Sequence, residues 1–266
     1  MRNMLAYPII FFILGLIIGS FLNVLVYRLK ESETIMGRSM CRACGHQIRW
    51  YDNIPLFSFL ALRGRCRDCS AVISWQYPAV EAITGAVFAA VGAYFFSYED
   101  MASWRETAWL LFVASCFIAV AAYDIRHMEI PIVLLVASAV VTAAFFLLEY
   151  RIGEPFFSSR LGLGLAGGLA VGAFFFALVY ASHETWMGWG DVWLGAVAGM
   201  IVGLPAALFM LTVSFASGSI IGLAGIYLEG KSLKSKMPFG PFLVIGTAAA
   251  VFFPVVFPEY AMFFLL

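Results

Sequence analysis

Long apolar runs separated by short polar connections dominate the chain. Most of the runs approach the roughly 20 residues that an α-helix needs to cross a bilayer. Backbone amides find no hydrogen-bond partner in lipid, and the runs are far longer than barrel strands, so they are predicted to be helices. The pattern therefore predicts an all-α polytopic membrane protein with about eight transmembrane helices. The runs are 7–27, 78–97, 107–123, 130–148, 161–181, 190–204, 206–227 and 239–257.

The composition excludes a single water-soluble core. Of the 266 residues, 63% are hydrophobic and 12% are charged, whereas charged residues make up about a quarter of soluble domains. The 16 basic and 16 acidic residues balance, so net charge gives no attraction to nucleic acid. The apolar surface of the protein is therefore expected to contact membrane lipid.

Basic residues divide unevenly between the two sides of the predicted bundle. If all eight runs cross, twelve lie on the side of the first connecting loop and four on the other. The positive-inside rule then places that loop in the cytoplasm. Segment 1–28 has no small-residue cleavage pattern and is predicted to be a retained first helix with its N-terminus outside. The twelve are Arg28, Lys30, Arg38, Arg42, Arg49, Arg63, Arg65, Arg67, Arg126, Lys231, Lys234 and Lys236, and the four are Arg2, Arg105, Arg151 and Arg160.

The polar segment 29–77 is predicted to form a small cytoplasmic lobe between the first two helices. Cys41 and Cys44 form one C-x-x-C pair, and Cys66 and Cys69 form another after 21 intervening residues. This spacing favours a closed, structural zinc site with four thiolates. Two disulfides are the alternative, but they require an oxidising compartment. A lobe this small has little core, so metal binding would supply its folding free energy.

Two aspartates lie at helix ends on the predicted cytoplasmic side. Asp124 ends the third apolar run, and Asp191 begins the sixth. Two carboxyls that share a site hold one proton between them, because like-charge repulsion raises one pKa. One can activate water while the other protonates a carbonyl oxygen, which is the chemistry of an aspartyl protease. Gly188 and Gly190 are expected to permit unusual backbone conformations and close substrate approach.

Simpler interpretations remain for each polar residue. Asp191 alone is typical of a helix N-cap, and Asp124 alone is compatible with a solvated interfacial charge. A transporter would place carboxylates nearer the midplane, on discontinuous helices, and a zinc-stabilised scaffold would use them only as caps. Cys116 is expected to be a small buried hydrophobe. The joint occurrence of both aspartates on one face favours catalysis.

Glycines at intervals of four predict close helix packing in lipid. One stripe spans 164–172 and the other spans 195–203. Asn23 is expected to form an interhelical hydrogen bond, and Glu81 suits the positive end of a helix dipole.

Taken together, the motifs of the chain resemble those of a known family, the type 4 prepilin peptidases, along almost its whole length. The resemblance implies an intramembrane aspartyl protease of the GxGD type in a bacterial inner membrane. The matching segments are Gly19-Ser20-Phe21-Leu22-Asn23-Val24 with Arg28, Gly37-Arg38-Ser39, both cysteine pairs, Asp52-Asn53-Ile54-Pro55, Glu81, Asp124 with Ile130-Pro131, Gly188-Trp189-Gly190-Asp191, and Pro238-Phe239-Gly240-Pro241-Phe242-Leu243.

This resemblance assigns roles that the residues alone do not. It implies that Asp124 and Asp191 cleave the basic leader of type 4 prepilins and type II secretion pseudopilins after a glycine, within a protease core of 78–266. It also implies N-methylation of the new N-terminus from S-adenosylmethionine, associated with the cysteine lobe, although no Rossmann-type motif is visible. Methyl-transfer or substrate contacts are expected among Gly19, Asn23, Arg28 and Glu81.

Two positions depart from the family pattern. Trp193 stands where a lysine is usual two residues after the second aspartate, and Ile132 stands where an acidic or amide residue often follows Ile-Pro. Loss of a nearby positive charge is expected to raise the pKa values of the pair. Neither departure removes a carboxyl.

Overall fold

The structure, a computed structural model, describes residues 6–31, 37–229 and 237–259. Over these ranges the chain is helical, with short 3-10 turns at Trp50–Asn53 and Phe156–Ser158 and no strand longer than an isolated bridge. The α-helices are α1 (Ala6–Glu31), α2 (Phe57–Ala61), α3 (Gln76–Tyr94), α4 (Met101–His127), α5 (Ile132–Glu149), α6 (Arg160–Ser182), α7 (Trp189–Glu229) and α8 (Gly240–Val256).

The predicted all-α polytopic membrane architecture is confirmed. Within the described ranges, five helices are long and apolar enough to cross a membrane, namely α1, α4, α5, α6 and α7. Helix α8 is apolar but shorter. Helix α3 has 19 residues and is not among the five. The count of eight crossings stays a prediction.

Helix α7 joins two of the predicted apolar runs. Its 41 residues would extend about 62 Å as an ideal helix, roughly twice the hydrocarbon thickness of a bilayer. Gly203 interrupts it with φ 75° and ψ 166°, and Pro205 follows. Because a residue with a side chain is strained at that φ, the glycine is where the run can bend. The predicted break between the runs 190–204 and 206–227 is therefore real, but the structure places it at Gly203, one or two residues earlier than predicted.

The chain divides into two compact units, Met1–Ala122 and Tyr123–Leu266. The boundary lies within α4, so the last turns of that helix belong to the second unit. The predicted limits at 28, 77 and 78 stay a prediction. Four residues used in the charge count, Arg2, Lys231, Lys234 and Lys236, lie outside the described residues.

In the first unit, α1 packs antiparallel against α3 through small residues. A Cβ on Gly15 would lie 2.6 Å from the Thr84 carbonyl oxygen, and one on Gly19 would lie 2.7 Å from Glu81 Cα. The buried Asn23 donates from Nδ2 to the Tyr77 carbonyl oxygen at 3.1 Å, which confirms its interhelical hydrogen bond. Glycine is therefore required for the two backbones to approach this closely.

In the second unit, α6 and the first half of α7 pack in the same way. A Cβ on Gly164 would lie 2.8 Å from the Met200 carbonyl oxygen, and one on Gly199 would lie 2.5 Å from that of Gly167. The predicted glycine stripes therefore do form a helix interface. It fixes the α7 segment that begins at the second aspartate.

Candidate active site and metal centre

Four cysteine sulfurs of the lobe converge on one point. Cys41, Cys44, Cys66 and Cys69 place their Sγ atoms within 4.8 Å of one another. Cys41 Sγ and Cys69 Sγ are 3.8 Å apart, far beyond the roughly 2.05 Å of a disulfide, and all four cysteines are free thiols. A tetrahedron with metal–sulfur bonds of about 2.3 Å has edges of about 3.8 Å. The cluster thus has the dimensions of a metal site.

The cysteine pairs lie on two turns of the same construction. Cys41 N–H donates to the His46 carbonyl at 2.8 Å, and Cys66 N–H donates to that of Ala71 at 2.8 Å. Each turn is closed by an isolated bridge, Met40 to Gln47 in one and Arg65 to Val72 in the other. Gly45 and Ser70 occupy equivalent places with φ 70° and 59°. Each turn therefore presents two thiols to the same side.

The protonation of these thiols favours a bound cation. Backbone N–H groups of Cys44 and then Ala43 lower the pKa of Cys41 to about 7. The Ala71 N–H lowers the pKa of Cys69, but burial and the neighbouring thiols together outweigh it and raise that pKa to about 12. Neighbouring thiols cannot all ionise without a compensating charge. A metal ion would supply that charge.

Two arginines, one on each turn, attach the turns to neighbouring segments of the chain. The Arg42 guanidinium lies 3.7 Å from the centroid of Tyr27 on α1, and Tyr27 stacks on Tyr77 at 5.1 Å. Arg67 donates to both carboxylate oxygens of Asp52, at 2.6 to 3.1 Å. This pairing lowers the pKa of Asp52, which stays ionised at neutral pH. The two cysteine-bearing turns are thereby held in place.

Asp124 lies near the end of α4 and is buried, with 4% of its surface exposed. Its Oδ2 accepts a 2.9 Å hydrogen bond from the backbone N–H of Gly240, the first residue of α8. A Cβ at Gly240 would lie 2.6 Å from the same oxygen. The interpretation of Asp124 as a solvated surface charge is therefore wrong, because the chain encloses it.

Asp191 is buried as well and is the third residue of α7. Its Oδ2 accepts the backbone N–H of Gly188 at 3.1 Å. Asp191 is thus not the N-cap residue; it is the acceptor that reaches back to the residue before the helix, as in one half of a capping box. This bond fixes the Asp191 carboxylate relative to Gly188 and Gly190.

The segments that carry the two aspartates meet within the second unit. A Cβ at Gly190 would lie 3.0 Å from Ile130 Cβ, so the connection after α4 contacts the one before α7. The carboxylates of Asp124 and Asp191 also interact electrostatically. The structure thus places the two predicted residues near each other, and their joint catalytic role stays a prediction.

The glycines before Asp191 matter because they lack a side chain, and not because they adopt unusual backbone angles. Neither Gly188 nor Gly190 has a positive φ, so the expected conformational role is wrong. A Cβ at Gly190 would press on Ile130, whereas a Cβ at Gly188 would meet only the Gly190 nitrogen, at 4.0 Å. Gly188 therefore borders open space, as expected for close approach of a ligand.

The two family departures lie on exposed surfaces. Trp193 is 55% exposed and is two residues from Asp191, a spacing that puts side chains on different faces of a helix. Ile132 begins α5 and is also 55% exposed. We therefore expect position 193 to affect Asp191 less than the sequence suggested. Cys116 is buried, as predicted.

The remaining candidates belong to the first unit. Gly19 and Asn23 serve the α1–α3 contact described above. Glu81 is buried and accepts the Leu56 N–H at 2.8 Å and a hydrogen bond from the Ser20 hydroxyl. Arg28 donates to the carbonyl oxygens of Gly37 and Arg38. Glu81 and Arg28 thus connect helices to the loops of the lobe.

Comparison with known proteins covers most of the chain. Residues 13–95 match the bacterial peptidase A24 N-terminal domain, and residues 111–223 match the type IV leader peptidase family. No solved structure matches the chain.

Several curated relatives share the name prepilin leader peptidase/N-methyltransferase. The Pectobacterium carotovorum protein is 32% identical over an alignment of 258 positions, and the match covers 88% of this chain and 88% of that relative. The Pseudomonas aeruginosa protein is 29% identical, with 91% of this chain and 88% of the relative matched. The Myxococcus xanthus protein is 32% identical over 85% of this chain, and the match spans 65% of that relative. This chain belongs to the type IV leader peptidase family.

Proposed function

We propose that this protein is a prepilin leader peptidase and N-methyltransferase of a bacterial inner membrane. The family match and the shared name of its relatives support both activities. The charge distribution supports a cytoplasmic position for the peptidase site. Its substrates would be type 4 prepilins or pseudopilins, whose apolar segment lies in the membrane while the basic leader stays outside it.

The observation that carries the peptidase assignment is the pair of buried carboxylates. Asp124 and Asp191 each accept a backbone N–H, from Gly240 and Gly188 respectively, and lie in segments that contact each other. In the proposed reaction, the ionised carboxylate takes a proton from water as the oxygen attacks the scissile carbonyl carbon. The other carboxyl protonates the carbonyl oxygen. The first carboxyl, now protonated, then gives its proton to the leaving amine as the C–N bond breaks, and the second takes a proton back from the diol, which restores the pair.

A transporter is not supported as an alternative. Both aspartates lie at helix ends, within three residues of His127 and Trp189 respectively. Coupling carboxylates of transporters lie near the bilayer midplane. The family is one of peptidases.

For the lobe, we propose a structural zinc ion held by Cys41, Cys44, Cys66 and Cys69. The sulfur spacing and free thiols support it. Four protein ligands leave no open coordination position, so the ion would supply folding free energy and no catalytic step. S-adenosylmethionine is the proposed methyl donor.

Mass measurement of a reacted prepilin tests both activities together. Purified protein is incubated with a prepilin, with and without S-adenosylmethionine. We expect loss of the leader in both reactions, and one added methyl group only when the donor is present. An intact prepilin in both reactions would contradict the peptidase, and a cleaved but unmethylated product in both would contradict the methyltransferase.

A further inference from the structure

A cavity in the first unit lies between α1 and the turn that precedes α2. It has a volume of about 380 Å³, within the range of small-molecule sites. Its lining combines one face of α1 with a loop of the cysteine lobe. The residues are Ile17, Ser20, Phe21 and Val24 from α1, and Gly37, Asn53, Ile54 and Pro55 from the lobe.

The walls of this cavity are amphipathic. Five of the eight lining residues are apolar, and Ser20 and Asn53 add a hydroxyl and an amide. Arg28 lies one turn beyond Val24 on α1 and donates to the carbonyl of Gly37, which places positive charge beside one end. A Cβ at Gly37 would lie 3.8 Å from an Arg28 guanidinium nitrogen, at a φ of 122° that only glycine adopts easily. The site therefore suits a ligand with an aromatic portion, hydroxyls and a carboxylate.

A buried carboxylate fixes the two walls relative to each other. Glu81 accepts the N–H of Leu56, which adjoins the lining residue Pro55, and the hydroxyl of Ser20 on α1. Leu56 has a φ of 58°, a conformation that is strained for residues other than glycine. Glu81 thus holds a strained loop against α1 and is a positioning residue for the cavity.

The cavity also lies where an acceptor in the membrane can reach it. Ile17 and Phe21 are 56% and 48% exposed, on a helix long and apolar enough to span. The opposite wall is a loop of the polar lobe. A polar ligand can enter from the lobe side while an apolar segment approaches along α1.

We propose that this cavity binds the methyl donor, S-adenosylmethionine. The apolar walls suit the purine, Ser20 and Asn53 suit its hydrogen-bonding groups, and Arg28 suits the carboxylate. The assignment rests on the proposed N-methyltransferase activity and locates it in the first unit. In the reaction, the neutral terminal amine attacks the donor methyl carbon, and the carbon–sulfur bond breaks with its electron pair going to sulfur. The methylated ammonium then releases its extra proton to water.

Direct measurement of donor binding tests the site without relying on turnover. Full-length, metal-loaded protein is titrated with S-adenosylmethionine by calorimetry. Ile54→Trp and Val24→Trp each fill the cavity, and Ile83→Trp makes the same change at a 53% exposed position of α3 outside it. We expect each cavity variant to raise Kd at least about tenfold, and the Ile83 variant to stay within about twofold of the unchanged protein. Metal content and melting temperature verify folding.

Photo-crosslinking of the unchanged protein with an azido-purine analogue gives a second measurement that needs no variant. We expect labelled peptides from 17–28 or 37–55. Unaltered binding in folded cavity variants, or labelling confined to other segments, would overturn this location while leaving the methyltransferase intact. No donor binding by a protein that still cleaves prepilin would overturn the location and the methyltransferase together, but not the peptidase.

Discussion

At the scale of single residues, a backbone N–H sets the position of the first aspartate. Gly240 begins α8 and donates to Asp124 Oδ2 at 2.9 Å. The positive end of the α8 dipole also favours the ionised carboxylate. No side chain fits at Gly240 unless Asp124 moves, since an added Cβ would lie 2.6 Å from that oxygen. Gly240 is therefore proposed as a positioning residue for the reaction.

Gly240→Ala is expected to lower the rate of prepilin cleavage at least about tenfold, because small displacements of catalytic groups are costly. Gly222→Ala is the matched control, since its Cβ would meet only the flexible Met237 Cε, at 3.4 Å. We expect the control to keep its rate within about twofold. The two rates are compared in a cleavage assay at saturating substrate. Equal rates for both variants would contradict the positioning role of Gly240.

The sequence predicted the two aspartates but not the groups that orient them. Asp124 and Asp191 stand out because carboxylates are rare beside apolar runs. The bond from Gly240 to Asp124 spans 116 residues, and no local pattern signals a contact of that range. The segment around Gly240 was identified only as a family motif. The role of Gly190 was misjudged because spacing cannot distinguish a packing glycine from a positive-φ glycine.

At the scale of elements, the cysteine lobe shows what a short pattern can specify. Two C-x-x-C pairs predicted one four-sulfur cluster, and the structure assembles it from two equivalent turns. A signal for their equivalence is present, since Cys-Arg-x-Cys occurs in both pairs. Helix boundaries were less predictable: hydropathy separated the two runs near residue 205, but the exact break at Gly203 depends on one backbone conformation.

Removal of the metal is expected to unfold the lobe and to abolish methylation while leaving most leader cleavage. Few buried side chains support the turns, so the proposed ion is expected to supply their folding free energy. The measurements are metal content, limited proteolysis within 37–75, and product mass after chelation. Zinc is then added back as the control and should restore methylation. Equal loss of both activities in otherwise folded protein would contradict separate roles.

At the scale of the whole molecule, the two proposed activities fall in different compact units. The first unit contains the cysteine cluster, Glu81 and the proposed donor cavity, and the second contains both aspartates and Gly240. Family models match the two regions separately, at 13–95 and 111–223. The family resemblance implied that methyl transfer involves the lobe, but the sequence offered no donor site, because the cavity joins residues that are up to 38 positions apart.

The most direct test of this account is prepilin cleavage by Asp124→Asn and Asp191→Asn, each verified as folded by metal content and melting temperature. Either amide removes a carboxyl that must exchange a proton with water or the scissile carbonyl. We predict a loss of cleavage of at least about a thousandfold in each variant, with donor binding unchanged. Cleavage at the unchanged rate by either folded variant would contradict the aspartyl mechanism.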